Sequence, residues 1–302
     1  MRDVISMGEA MVELSLATEP DGQAAVGFAG DTLNTAIYLK RQAPALNVAY
    51  ATALGRDPLS DQMIQMMEDE ALECTLIARH DTLLPGLYAI STDESGERSF
   101  YYWRDNAAAR QMLTPDALSL DSLGQTRILY FSAITLAILP EADRTCFLDW
   151  LPRFRANGGK VAFDSNYRPR LWPDQATAQN VVETAWRQTD IGLPSVDDEM
   201  ELFDDPSEDK VLERLTGFGV TSGALKRGAE GPLALDGAAV GPFHAADRVV
   251  DSTAAGDSFN AGYLAARISG DSEARATQAG HALASRVIGA KGAILPRETA
   301  GA

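Results

Sequence analysis

The segment with the most chemistry runs Val250-Asp251-Ser252-Thr253-Ala254-Ala255-Gly256-Asp257-Ser258-Phe259-Asn260-Ala261-Gly262. Its small residues follow a stretch read as a strand, Arg248 to Val250, and open a helix with apolar positions at Phe259, Tyr263, Leu264 and Ile268. Small side chains at a helix start let the amides of Ala254, Ala255 and Gly256 close on an anion, and the helix dipole adds positive potential. Asp257 would repel a phosphate if anion binding were the whole purpose. Beside an anion hole it suits a general base, taking a proton from a hydroxyl that attacks phosphorus. A carboxylate there also suits a helix cap, and spacing alone leaves both roles open.

Other catalytic patterns are missing. The sequence has no GxxxxGK[ST] loop, no GxGxxG after its first strand, no HExxH and no GxSxG. His80, His244 and His281 are scattered, which argues against zinc and Ser-His-Asp chemistry, and no metal-ligating set is expected.

The elements that must position Asp257 alternate short apolar runs with amphipathic helices, the pattern of a parallel sheet with crossover helices. Strands are expected at Val4–Met7, Asn47–Leu54, Ile128–Ser132, Val161–Asp164 and Asp190–Leu193. Asp31 is expected to cap a helix carrying Leu33, Ile37 and Tyr38. Asp57-Pro58 opens another, with Leu59, Met63, Met66 and Met67 on one apolar face, read as core filler. Further helices are expected over 141–157, stopped by Gly158-Gly159, and over 177–188 and 210–215. Two stretches break the alternation. Val26 to Gly30 lies between the first strand and its helix, and Gly86 to Arg104 reads as a β-hairpin turning at Asp93 to Gly96. Such an insertion decorates an edge or closes over a site, and its polar-tipped aromatics favour closure.

Composition narrows the partners. With 26 Lys and Arg against 43 Asp and Glu, the 302-residue chain carries a formal charge of −17. That surface repels nucleic acid and anionic membranes, while a few basic residues can still build a local anion pocket. The most apolar stretch, Ile128 to Leu139, falls far short of the ~20 residues of a membrane span. Cys74 and Cys146 lie far apart without a CxxC partner, so two reduced, packed thiols in a cytoplasmic protein are expected.

Asp251 to Asp257, DSTAAGD, resembles the DTxGAGD motif of the ribokinase-like (PfkB) sugar kinases. Phe28 to Ala36, FAGDTLNTA, resembles that family's GG-x-x-x-N-x-A sugar-binding element. Ser252, Ala254 and Ala29 depart from the usual Thr, Gly and Gly, each keeping a small side chain. Four further segments, GDTLNTAIYL, LPGLYAI, GERSFYYWRDNAAA and DSNYRPRLW, narrow the resemblance to the branch that phosphorylates 2-keto-3-deoxygluconate.

The resemblance implies one α/β domain over 1–302, a three-layer sandwich with a mostly parallel sheet. It also implies a small β lid from about 10–30 and 85–105. Asp257 would be the catalytic base, with the Ala254, Ala255 and Gly256 amides as its anion hole. Gly30, Asp31 and Asn34 would bind the sugar hydroxyls. Tyr88, Tyr102 and Arg104 would reach the substrate from the lid, and Arg104 and Arg168 would hold its carboxylate. Asn166 and Arg168 lie where the family meets the nucleotide phosphates. Lys226, Gly228 and Gly231 resemble its K-x-G-x-x-G nucleotide loop, with Ser195 and His281 as further candidates there. The implied cosubstrate is ATP with Mg²⁺. The implied partner is a sugar acid. The hairpin's own alternation puts aromatics on both faces, and Phe100 and Trp103 would expose an apolar patch. A second copy of the chain joined through the lid is therefore expected, the alternative being that they pack back onto the chain's own α/β domain.

Overall fold

The computed structural model describes residues 1–16, 22–92, 98–244 and 246–297. In chain order the strands are β1 (Arg2–Met7), β2 (Met11–Ser15), β3 (Ala25–Ala29), β4 (Val48–Leu54), β5 (Ile77–Arg79), β6 (Gly86–Thr92), β7 (Arg98–Trp103), β8 (Thr126–Ser132), β9 (Lys160–Asp164), β10 (Ile191–Gly192), β11 (Ala224–Leu225) and β12 (Leu233–Ala234). The helices are α1 (Asp31–Gln42), α2 (Pro58–Asp69), α3 (Leu120–Leu123), α4 (Ala133–Ile138), α5 (Glu141–Ala156), α6 (Gln175–Trp186), α7 (Val196–Phe203), α8 (Glu208–Gly217), α9 (Ala255–Ile268) and α10 (Glu273–Val287).

Six strands form a parallel sheet in the order β10-β9-β8-β1-β4-β5. Its strands read as continuous apolar runs because helices cover both faces. Alternate residues enter two different cores. Ile5, Leu129, Phe131, Val161 and Phe163 meet α4 to α8, and Val4, Tyr50, Ile128, Tyr130 and Ala162 meet α1, α2, α9 and α10. The result is the expected helix–sheet–helix sandwich. Edge-to-face contacts of Phe131 with Phe147 at 5.0 Å and of Phe163 with Trp186 at 4.6 Å fix the first core.

A separate four-stranded sheet has the order β3-β2-β6-β7. β6 and β7 are antiparallel, with Tyr88 opposite Tyr102 and Ile90 opposite Phe100, as the expected hairpin requires. The turn assigned to Asp93–Gly96 lies outside the described residues. β2, within the stretch 10–30 expected to contribute to the lid, joins β3 to the hairpin by pairing with β3 and β6.

Several expectations change. Asp31 does not cap α1; Gly30 does, without a side-chain bond, and Asp31 is the first helical residue. The carboxylate is thereby free to point across the strand ends. Arg248 to Val250 form no strand; Val250 and Asp251 instead hang from the Ile288 carbonyl. α6 starts at Gln175 because Asp174 caps it, accepting from the Thr177 amide at 2.7 Å. Cys146 is exposed rather than packed. β5, α7 and α10 went unread. α10 hides because only Leu283 and Val287 add large apolar side chains to its buried face, whose N-terminal half is Glu273, Ala276, Thr277 and Gly280. Smallness is needed there: a Cβ on Gly280 would stand 2.8 Å from the Phe259 carbonyl oxygen, so α9 and α10 touch backbone to backbone.

Candidate active site

Sequence order brings β1 and β8 side by side, with later strands added outward on one flank and β4 on the other. Such a switch leaves a crevice at the C-terminal strand ends, where open α/β sheets bind ligands. Ser132 closes β8, Asp164 closes β9, and Asp31 begins the helix after β3. Asp31 accepts from the Ser132 hydroxyl and, at 2.9 Å, from the Asn166 amide. Asp164 spends one oxygen on the Lys226 ammonium and the other on the Asn260 amide, each at 2.8 Å. Lys226 also reaches Asn260 Oδ1 at 3.2 Å.

Asp257 stands in the first turn of α9, partly open to the crevice. Its Oδ2 accepts from Asn34 Nδ2 at 2.8 Å, and its carbonyl accepts from the Thr35 hydroxyl at 3.1 Å. These two bonds lock the first turn of α1 to that of α9. Burial, then the neighbouring Asp31 charge, then Asp164, push the Asp257 carboxyl up to about 8, against the opposing Asn34 hydrogen bond and Lys226 charge. A carboxyl tuned to that range suits a proton acceptor near neutral pH. Burial also holds the Asp31 carboxyl above its usual range, with the Ser132 bond opposing it.

Two cavities meet at this point. One, about 540 Å³, is lined by Gly30, Asp31, Asn34, Tyr88, Tyr102 and Asp257 on one side and by Asn166, Arg168, Asp197 and Asp198 on the other. The second, about 440 Å³, is walled by Arg227, Gly228, Ala229, Phe259 and His281. They share Ser195, Asp197, Lys226, Ser252, Ala255 and Gly256. The start of α9 is therefore the partition between them. Ala254 caps that helix with a left-handed φ of 61°, a strain borne by neighbours that fix it.

Most predicted site residues converge here, and the exceptions are specific. The Ala255 amide is taken by the Ser252 carbonyl at 3.2 Å, which leaves the Ala254 and Gly256 amides as the open donors of the expected three-amide hole. Arg168 lines the first cavity and donates to Asp198 at 3.3 Å. Arg104 does not line it: its guanidinium is buried and paired with Glu9, so the two arginines are not brought together as expected. Its Nε, like Glu9 Oε1, has no hydrogen-bond partner among the described residues. Gly231 lies outside both cavities, while Lys226 and Gly228 of the same loop line the second. Tyr88 is buried and donates to Glu13; Tyr102 is exposed, its ring 5.8 Å from that of Tyr88. His281 is held by its Nε2 at 2.9 Å from the His244 carbonyl oxygen.

Asp164, Asn260 and Asp198 escaped the sequence reading. Asn260 had a signal, since it follows Asp257 by three positions and shares its helix face. Asp251 is a further hub. Its Oδ1 accepts from the Thr253 amide at 3.0 Å and from Arg98 of β7, and its Oδ2 from the Gly292 amide at 2.8 Å. Burial pushes its carboxyl up, but these bonds and the Arg98 charge outweigh that and leave it below the usual range.

A parallel α/β sandwich with a carboxylate and open amides at a helix start, between two cavities, is a fold and site for phosphoryl transfer. The chain belongs to the pfkB family of carbohydrate kinases, whose profile matches residues 1–300. It is 45% identical to the 2-dehydro-3-deoxygluconokinase of Dickeya dadantii (strain 3937) over 98% of both chains. It is 43% identical to that of Escherichia coli (strain K12), again over 98% of both. The solved fructokinase with bound ATP from Xylella fastidiosa superposes with a TM-score of 0.82 at 21% identity, over 96% of this chain and 93% of that one.

Proposed function

We propose that this kinase transfers the γ-phosphoryl group of ATP to the terminal hydroxyl of 2-keto-3-deoxygluconate (2-dehydro-3-deoxygluconate), giving the 6-phosphate. The observation that carries the reaction is Asp257, a carboxylate raised to about 8 at the partition between two cavities. The substrate rests on the two relatives of that activity at 43% and 45% identity.

Asp257 takes the hydroxyl proton as that oxygen attacks phosphorus, and Asn34 keeps the carboxylate aimed. The Ala254 and Gly256 amides and the helix dipole stabilise charge on the transferring group. Lys226 stands beside them, 3.6 Å from where a Cβ on Gly256 would be. Gly30, Asp31 and Asn34 bind the sugar hydroxyls, and Tyr88 and Tyr102 cover the sugar from the small sheet, which acts as a lid that excludes water. The second cavity takes the nucleotide. No cluster of three metal-ligating side chains occurs among the described residues, but Asp197 and Asp198 line the first cavity. That donor set fits Mg²⁺, which is held by one or two carboxylates and by substrate phosphates. When bound, Mg²⁺ neutralises charge on the β- and γ-phosphate oxygens.

Arg168 holds the substrate carboxylate. Arg168→Ala is expected to raise KM for the sugar acid roughly 10–100-fold, since a charge-assisted hydrogen bond contributes ~1.5–3 kcal/mol. ADP release measured over a panel of sugars and sugar acids tests the assignment. The keto-acid should give the highest kcat/KM. A higher value for fructose or ribose would remove the substrate assignment and leave a kinase of neutral sugars.

The outer face of the small sheet presents Val26, Tyr101 and Trp103, the last 61% exposed, so these side chains do not fold back on the chain's own α/β layers. A second copy is the occupant we propose for that face, in a cytoplasmic homodimer. Among the described residues no helix is long and apolar enough to cross a membrane. Light scattering over a concentration series should give twice the 32.4 kDa chain mass. A strict monomer at micromolar concentration would dismiss the dimer.

A further inference from the structure

We propose that Arg98 is a positioning residue that ties closure of the small sheet to the shape of the anion-binding loop, an inference resting on the lid and the Gly256 anion site proposed above. Arg98 opens β7, on the edge of the small sheet. From there its Nη1 crosses to the segment before α9, donating to the Asp251 carboxylate and, at 2.9 Å, to the Thr253 hydroxyl. It does not line the first cavity, so it meets neither sugar nor hydroxyl directly.

What Arg98 holds is the part of the site that needs holding. The Asp251 side chain is only 3% exposed, and Arg98 is the cation paired with it. The same carboxylate pins the Thr253 amide, and Thr253 precedes the left-handed Ala254 that starts α9. A left-handed alanine persists where its neighbours over-determine it. One of those determinants is thus delivered by the small sheet itself, from a residue 153 positions earlier in the chain. When the sheet lifts, Asp251 keeps its two amide donors and loses its counter-charge. Thr253 loses its side-chain partner at the same moment. The loop is then free to relax, and the Gly256 amide is no longer fixed for the transferring group. The arrangement couples covering the acceptor to building the anion site, so that ATP alone meets an unfinished site.

Full-length wild type, Arg98→Ala and Arg98→Lys decide this. Misplacing a reacting group by an ångström costs up to about 100-fold, so Arg98→Ala should lower kcat roughly 10–100-fold while KM for ATP stays within about threefold. Arg98→Lys, which keeps the charge, should recover most of the loss. Amide hydrogen exchange without ligand should quicken across residues 252–258 in Arg98→Ala and not in Arg98→Lys. A kcat for Arg98→Ala within about twofold of wild type, or unchanged exchange in that segment, overturns the proposal. Arg98→Gln, of similar length without charge, carries the same expectation if the alanine variant does not fold. A wild type that releases no ADP with any sugar or sugar acid overturns the function proposed above, and the exchange measurement then judges Arg98 alone.

Discussion

Asp257→Asn should bind ATP nearly as the wild type does and turn over roughly 10²–10⁴-fold more slowly, the contribution typical of a general base. The amide is isosteric and can still meet Asn34, but it accepts no proton. Two pH signatures accompany the loss. The folded carboxyl is raised to about 8, so wild-type kcat/KM should climb with pH and level off above that value. The variant should lack this limb. Stability runs the other way. The folded state keeps its proton up to about 8 while the unfolded chain releases it near 3.8, so folding loses stability as pH rises between those values. Asn needs no proton, and the variant should therefore outlast wild type in urea above neutral pH. A variant keeping more than about a tenth of wild-type turnover would make Asp257 a structural residue only.

Arg104→Ala should be the most destabilising single change near the site. Arg104 and Glu9 are 8% and 1% exposed at their side chains, and removing the guanidinium strands a carboxylate where water cannot reach it. Breaking a buried pair from one side costs about 3–5 kcal/mol, read as a lower denaturation midpoint. Burial already holds the Glu9 carboxyl above its usual range against the Arg104 charge. Without that charge it climbs further, so the deficit should shrink as pH falls and Glu9 protonates. Adding Glu9→Gln should return most of the stability, because a neutral amide strands no charge beside the lost guanidinium. An Arg104→Ala protein as stable as wild type would show that the pair is not buried as described.

The sequence exposes this fold where the signal is local. The apolar runs of β4 and β9, the Asp57-Pro58 start of α2, and the small residues before Asp257 each follow from neighbours in the chain. It is silent where structure is made by distant partners. Nothing near Asp31 says that its carboxylate will face Ser132 and Asn166 rather than its own helix. Nothing near Arg104 says that its guanidinium will turn to Glu9, because the bridge spans 95 positions. The anion loop was legible as composition, but the bond that spends the Ala255 amide was not, since it depends on how the turn at Ser252 closes.

The bond between Asn34 and Asp257 joins residues 223 positions apart, and α9 and α10 come after every strand of the large sheet. During synthesis the acceptor side of the cleft therefore leaves the ribosome long before its base, and at ~5–20 residues per second the wait lasts roughly ten seconds or more. Until then a nascent chain has no means of spending ATP. Over the same interval Val4, Tyr50 and Tyr130 have α1 and α2 on their side of the sheet but lack α9 and α10, which complete that layer. Chaperones would find their target on that face of the sheet, and chains truncated before α9 should aggregate rather than persist as inactive kinases.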